Sequence, residues 1–287
     1  MRESDLIAGL DQQQLDNFVD YVLSEDLGSG DVTSRVSVPA SARFSAVLAA
    51  RQPIVVAGLQ LAAAFFGKLD PEVAIEFLVQ DGDNVAAGQP LMRIAGSAQL
   101  MLAAERSALN TLQHLTGIAT VTRSYAEAIA GTDCVLLDTR KTIPGLRAIE
   151  KYAAKVGGAR NHRMRLDDGI LIKDNHIAAA GSIVEAVKAA KAANTGLEVQ
   201  VEVDGIEQIE PALTAGADRL LCDNMSPAKL KGAVALVGGR VPIEASGGVR
   251  LDTIREIAST GVDFVSVGRI TQSAPAADIG LDYALSS

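Results

Sequence analysis

Beyond Gly131, six short apolar runs alternate with amphipathic stretches, which predicts an α/β fold built on a parallel sheet. The runs are apolar over both faces, as strands covered by helices on each side must be, and this suits a closed barrel or a doubly wound sheet. Chemistry-bearing residues stand at the carboxyl end of nearly every run rather than at one switch point, and that favours the barrel. Six runs are fewer than eight, so the barrel is expected to be incomplete or to borrow a strand.

The first third of the chain mixes its elements. Leu15 to Leu27 (LDNFVDYVLSEDL) reads as an amphipathic helix ended by Gly28, Ser29 and Gly30, with Asp31 as a turn or capping residue. ARFSAVLAA, PIVVAG and VAIEFLVQ read as strands, and LQLAAAFFGKL lies among them as a helix. DGDNVAAGQPLMRIAG reads as a turn, a short loop and a strand. It is similar to turn-rich segments of lipoyl-type domains but lacks their acceptor lysine. From Ser97 to about Ala130, Leu102, Leu109, Leu112 and Leu115 keep roughly helical spacing, with Gly117 expected to break the stretch in two. The six later runs are 134–138, 169–173, 197–203, 219–223, 241–246 and 263–268. Helices are predicted near 144–156, 181–193, 205–215, 227–237 and 250–260.

The chain is acidic, with net charge −9, which argues against general nucleic-acid binding; at 3% aromatic content it also has few rings for base stacking. Its apolar runs are too short to span a membrane. The opening residues are polar and acidic, unlike a cleavable secretory signal. Cys134 and Cys222 lack metal-ligand spacing and read as small core residues, which fits a reducing cytoplasm. Against this acidic background, residues 138–176 hold nine Lys and Arg and five acids, for a local net charge of +4, together with His162 and His176. Such a block predicts an anion site. Arg147, Lys151 and Lys155, at helical spacing, suit a solvated helix face instead.

In order, the strand ends carry Arg140 and Lys141, then Lys173, Glu202, Asp223, Ser246-Gly247-Gly248 and Gly268. Cations suit an anionic substrate, and arginine can hold a carboxylate bidentately. Arg140, Arg163 and Lys173 therefore suit a ligand with more than one carboxylate. His162, inside the basic cluster, could donate a hydrogen bond or shuttle a proton. His176 more simply holds the loop after its strand, and His114 packs on an apolar helix. Glu202 and Asp223 could hold Mg²⁺ on a diphosphate or face a positive transition state; the plainer alternative is ion pairing with Lys173 or Arg140. The glycines free backbone N–H groups for a phosphate.

The runs EDLGSGDVTS (25–34), ERSALNTLQHLTGIAT (105–120), DTRKTIPGLR (138–147), GGARNHRMRLDDGILIKDNH (157–176), VEVD (201–204), CDNMSP (222–227), EASGG (244–248) and VGRITQSAP (267–275) together resemble the quinolinate phosphoribosyltransferase family over nearly the whole chain. The resemblance implies an N-terminal α/β sandwich domain over 1–115, with a tail from about 270 packing back on it, and an incomplete α/β barrel over 116–287. It implies quinolinate binding by Thr139, Arg140, His162, Arg163 and Lys173, with Arg106 reaching in from the other subunit of a homodimer. Phosphoribosyl pyrophosphate and Mg²⁺ would meet Lys141, Glu202 and Asp223, these three also serving catalysis. The 5-phosphate would meet Ser246, Gly247, Gly248, Val267, Gly268 and Arg269. The implied reaction gives nicotinate mononucleotide, pyrophosphate and CO₂ in NAD biosynthesis.

The chain departs from the family pattern near its end. Gln272 stands where a histidine is usual and Arg269 where a small residue is usual, so altered phosphoribosyl pyrophosphate affinity is expected. Other readings are a homologue associated with molybdenum transport, a nicotinate phosphoribosyltransferase, a Schiff-base aldolase using Lys173, and a sugar-phosphate binding protein. The cations flanking Lys173 suit an anion clamp better than an aldolase, and a simple binding protein would not need Glu202 and Asp223.

Overall fold

The computed structural model describes residues 8–285. The reading of the first seven residues as unlike a signal lies outside them. In chain order the elements begin with α1 (Gln12–Leu27), α2 (Val32–Ser37), β1 (Arg43–Ala50), β2 (Ile54–Val55), α3 (Leu59–Leu69), β3 (Ala74–Phe77), β4 (Asn84–Val85), β5 (Pro90–Ser97) and α4 (Ala98–Ala128). Then follow β6 (Val135–Leu137), α5 (Arg147–Gly157), β7 (Ile170–Ile172), α6 (Asp174–Ala180), α7 (Ile183–Ala192), β8 (Val199–Val203), α8 (Ile209–Ala215) and β9 (Arg219–Asp223). The chain continues with α9 (Pro227–Val237), β10 (Ile243–Ser246), α10 (Ile254–Ala258), β11 (Phe264–Ser266), α11 (Arg269–Gln272) and β12 (Ile279–Leu285). None of the described helices is long and apolar enough to cross a membrane.

The chain forms two compact units that are discontinuous in sequence. The first joins the residues up to Arg123, Pro144–Gly157 and the chain from Ser273; the second holds Ser124–Ile143 and Gly158–Gln272. In the first unit, strands run in the order β12-β1-β5-β3, all antiparallel. Strand β12 covers β1 from Phe44 opposite Leu285 to Ala50 opposite Ile279. Helix α1 starts earlier than its apolar pattern suggested, because Asp11 caps it. The Asp11 carboxylate accepts the Gln14 N–H at 2.8 Å, and the Gln14 side chain accepts the Asp11 N–H at 3.0 Å. Leu15, Val19 and Leu23, four residues apart, form its buried stripe.

Two expectations fail in this unit. Helix α4 is unbroken over 31 residues, straight through Gly117. A mid-helix glycine costs only about 1 kcal/mol, and the fully buried Leu112, Leu115 and Ile118 hold the turn together. Gly117 answers a packing demand instead, since a Cβ there would lie 2.1 Å from the Pro275 carbonyl oxygen. On α5, Lys151 is not on a solvated face: it is 1% exposed, beside Glu150 at 0%. The Glu150 carboxylate meets His114 Nε2 at 2.8 Å, so His114 is indeed a packed residue with a polar anchor.

The second unit holds a six-stranded parallel sheet in the order β6-β11-β10-β9-β8-β7. Strands β7 to β11 follow one another around the sheet, and β6 returns beside β11. This cyclic order, without the reversal of a doubly wound sheet, is that of a barrel. The ladder stays open between β6 and β7. Part of the gap is taken by the segment at Arg160, which makes a single parallel bridge to Leu137. The architecture is thus an incomplete α/β barrel. Cys134 and Cys222 are free and buried, and burial pushes each thiol up to about 12.

Candidate active site

The carboxyl ends of the parallel strands open into a cavity of about 480 Å³, and all of its lining residues belong to the second unit. Strand β6 delivers Thr139, Arg140 and Lys141, β7 delivers Lys173, β8 Glu202 and β9 Asp223, while β10 ends at Ser246, Gly247 and Gly248. His162 and Arg163 come from the segment that fills the open seam. That segment is held in place by Asp138, which is fully buried at the end of β6. Its two carboxylate oxygens accept the His162 N–H at 2.7 Å and the Asn161 side-chain N–H at 2.6 Å. The Arg163 guanidinium closes toward β7 by donating to the Gly169 carbonyl at 2.7 Å.

One wall is therefore cationic. Burial, and then the like charge of Arg140, hold the Arg163 pKa below its ordinary 12.5. The Nε of Arg140 is buried and has no hydrogen-bond partner among the described residues. A buried donor left open costs about 1–3 kcal/mol, and an incoming carboxylate would satisfy it. Opposite, Lys173 Nζ pairs with Glu202 at 2.8 Å, the plainer arrangement foreseen for that carboxylate. The Lys173 backbone N–H donates to His176 Nδ1 at 2.9 Å, so His176 does hold the loop that starts α6.

A second cavity of about 350 Å³ shares Thr139, Lys141 and the β10 glycines with the first. It continues to Val267, Gly268, Arg269 and Gln272. Gly247 and Gly248 have φ of +88° and +61°, a region that L side chains avoid. A Cβ on Gly247 would stand 2.3 Å from the Asn224 Oδ1, and one on Gly268 would stand 2.8 Å from the Lys141 side chain. Glycine backbone thus forms part of this cavity's wall, and the exposed cations Arg250 and Arg269 line it as well. Thr271 donates its hydroxyl to the Lys141 carbonyl at 2.7 Å, and the Lys141 N–H donates to the Thr139 hydroxyl at 3.0 Å; these bonds fix the lysine between the two cavities.

Residues 31–116 match the N-terminal domain, and residues 118–282 the C-terminal domain, of quinolinate phosphoribosyl transferase. The chain belongs to the quinolinate phosphoribosyltransferase family. It is 42% identical over 269 residues to the nicotinate-nucleotide pyrophosphorylase [carboxylating] of Mycobacterium leprae (strain TN), covering 91% of this chain and 94% of that one. It is 39% identical over 275 residues to the probable enzyme of that name from Bacillus subtilis (strain 168), covering 96% and 95%. The solved structure of the nicotinate-nucleotide pyrophosphorylase from Francisella tularensis superposes with a TM-score of 0.92 at 37% identity, covering 98% of this chain and 99% of that one.

Of the residues that the family resemblance singled out, the structure brings all but one into these two adjoining cavities. Arg106 is the exception: it is exposed on α4 in the first unit and lines neither cavity. Three residues in or beside these cavities escaped the sequence reading. Asp138 closes the apolar run 134–138, where nothing in the sequence marks it out. Asn224, at φ +54°, donates to Asp223 at 2.6 Å and packs under Gly247. Glu244 reads as part of a short strand, yet it lines the larger cavity with its side chain fully buried. An acid in the middle of an otherwise apolar buried strand was the available signal.

Proposed function

We propose that this chain carries out the reaction of its family: it transfers the phosphoribosyl group of phosphoribosyl pyrophosphate to the ring nitrogen of quinolinate. Nicotinate mononucleotide, pyrophosphate and CO₂ are the products, in NAD biosynthesis. The observation that carries this reading is the pair of adjoining cavities, one walled by Arg140, Arg163 and Lys173 and the other by glycine backbone, with Lys141 between them. The first suits a planar dicarboxylate and the second a phosphate.

In this reading the arginines and Lys173 grip the two carboxylates and orient the ring. Ser246, Gly247, Gly248, Val267, Gly268 and Arg269 hold the 5-phosphate, and Lys141 faces the diphosphate. As the bond to pyrophosphate breaks, the ribose becomes oxocarbenium-like, and Glu202 and Asp223 offer it negative charge. The pyridine nitrogen attacks the anomeric carbon and becomes cationic. The 2-carboxylate then leaves as CO₂, its bonding electrons stay on the ring carbon, and a proton replaces it. Glu202 and Asp223 are two hard oxygen donors on neighbouring strands. Among the described residues no group of three or more His, Cys, Asp or Glu forms a resident metal cage. The two therefore fit a Mg²⁺ that arrives on the diphosphate. Bound there, it would neutralise charge on the departing pyrophosphate.

The test is to incubate the purified protein with quinolinate, phosphoribosyl pyrophosphate and Mg²⁺ and to measure nicotinate mononucleotide and CO₂ together. Equal amounts of both support the reading, and absence of both from folded protein rejects it. We further assign Arg106 to the site of a partner subunit in a homodimer, since it is exposed and lies outside its own chain's cavities. Mixing inactive Arg106→Ala and Lys141→Ala chains should then restore about a quarter of wild-type activity, the share expected of random exchange in a twofold dimer. No recovery would return Arg106 to its own subunit. Two free, buried cysteines suit a reducing compartment, and we assign the cytoplasm.

A further inference from the structure

Behind the cationic wall lies a buried polar cluster that the reaction above does not use. Its centre is Glu244 on β10, whose side chain is fully buried. One carboxylate oxygen accepts from the Arg219 guanidinium at 2.7 Å and from the Gln200 amide at 2.8 Å, and it stands 3.5 Å from His162 Nε2. Arg219, at the start of β9, lies with its guanidinium carbon 3.9 Å above the Phe264 ring, an arrangement that fixes its plane. A separate cavity of about 390 Å³ lies on this side of the cluster, lined by Arg219, Gln200 and Phe264. It shares only His162 and Arg163 with the substrate cavity. The cluster is thus a floor between two water-accessible spaces.

The other ring nitrogen of His162 settles what this floor holds. Nδ1 lies 2.8 Å from the backbone N–H of Arg163, which points its proton at it. An Nδ1 that accepts cannot carry a proton, so the ring proton sits on Nε2, directed at the Glu244 carboxylate. Nδ1 is thus committed to the Arg163 N–H, while Nε2 faces the Glu244 carboxylate at 3.5 Å, longer than a full hydrogen bond. The remaining charged groups around the ring agree: Asp138, from β6, binds the His162 backbone N–H rather than the ring, and Arg163 and Arg140 on the substrate side carry like charge.

We propose that Glu244 is a positioning residue for substrate binding: with Arg219 and Gln200 it orients the Nε2 edge of His162, and His162 in turn fixes the backbone of Arg163 through its bare Nδ1. His162 is then a strut beneath the guanidinium, not a proton donor or a cation toward the dicarboxylate. Stability gives little reason for such a cluster. Buried ion pairs are often no better than apolar packing, and this one leaves Glu244 Oε1 and Arg219 Nε buried without partners among the described residues. The proposal rests on the assignment of Arg163 to quinolinate.

The experiment is ¹⁵N-imidazole NMR of the histidine-labelled, ligand-free protein at neutral pH, with kinetics of Glu244→Gln alongside. The expected spectrum shows His162 with Nε2 protonated and Nδ1 bare. In Glu244→Gln a neutral amide oxygen, shared with Arg219 and Gln200, replaces the carboxylate facing Nε2–H, so that signature should change. The KM for quinolinate should rise on the order of ten- to a hundredfold, with the KM for phosphoribosyl pyrophosphate little altered. A doubly protonated ring or an Nδ1–H tautomer in the wild type overturns the proposal, and so does a variant with unaltered spectrum and quinolinate KM. Because the wild-type spectrum needs neither turnover nor a folded variant, it decides the matter even if the assay for the proposed reaction fails.

Discussion

Arg140 and Arg163 stand close enough for the charge of one to weigh on the other, and part of Arg140 is buried without a partner. An arrangement that disfavours itself when empty is relieved by an anion. Replacing Arg140 with Ala should therefore lower kcat/KM for quinolinate about tenfold or more, the size of ~1.5–3 kcal/mol for a hydrogen bond to a charged group; steady-state kinetics at fixed phosphoribosyl pyrophosphate would show it. Arg269 is exposed at the rim of the glycine-walled cavity, so its contribution is smaller. Arg269→Ala should raise the KM for phosphoribosyl pyrophosphate by about 1.4- to fivefold, as ~0.2–1 kcal/mol for an exposed pair implies. The effect should shrink in high salt. Gln272→His, at the same cavity, should shift that KM as well, and an unchanged value would mark the position as neutral. At this scale the sequence was most legible where an unusual residue follows a strand and lines a cavity, as with Lys173 or Gly268. It was least legible where the functional group is a hydrogen bond. Nothing in the spacing of Asp138, His162 and Glu244 shows that they meet, because the contact joins a strand end, a loop and a strand separated by long stretches of chain.

Among the elements, those with a strong period appeared close to where they form: α3 and α9 match their predicted spans, and the six parallel strands lie within the apolar runs. The misses have physical causes. Helix α6 was hidden because its residues follow a strand in a run of charges, and its start is set by a side-chain bond from His176. The expected break at Gly117 treated glycine as a helix breaker, whereas its role is to let another backbone approach. Here two effects compete in Gly117→Ala. The helix itself gains about 1 kcal/mol from alanine, but a methyl 2.1 Å from the Pro275 carbonyl must push backbone aside, at a cost of about 3 kcal/mol or more. The variant should unfold at lower urea than wild type. A variant as stable as wild type would mean the segment at Pro275 moves away freely.

For the molecule as a whole, acid should be the weak direction. Burial acts to raise the Glu244 carboxyl, but the groups facing it, His162, the Arg219 guanidinium and the Gln200 amide, outweigh it and hold the group below its ordinary 4.5. Burial also acts to raise Asp218, and again it is outweighed, by the Lys191 ammonium and the Val199 N–H, leaving Asp218 below 3.8. Both groups have lower values folded than unfolded. Their stabilisation is therefore complete above the unfolded values and lost as pH falls through the folded ones. Urea midpoints should hold steady near neutrality and fall below about pH 4.5. Asp218→Asn should be less stable near neutrality and lose less on acidification; a variant with the wild-type slope would remove Asp218 from the account.

The pairing of β12 with β1 also bears on how the chain is made. Strand β1 emerges from the ribosome early, but its partner on one side lies more than two hundred residues later, after the whole parallel sheet has been synthesised. Throughout translation that edge of β1 is an open ladder, the feature by which nascent chains capture one another. Neighbouring ribosomes on one messenger would hold many such edges close together. Crowded expression is thus where this protein should depend most on chaperones, and co-expression of a chaperone that shields extended segments should raise the yield of folded protein more than lowering the rate of any later step.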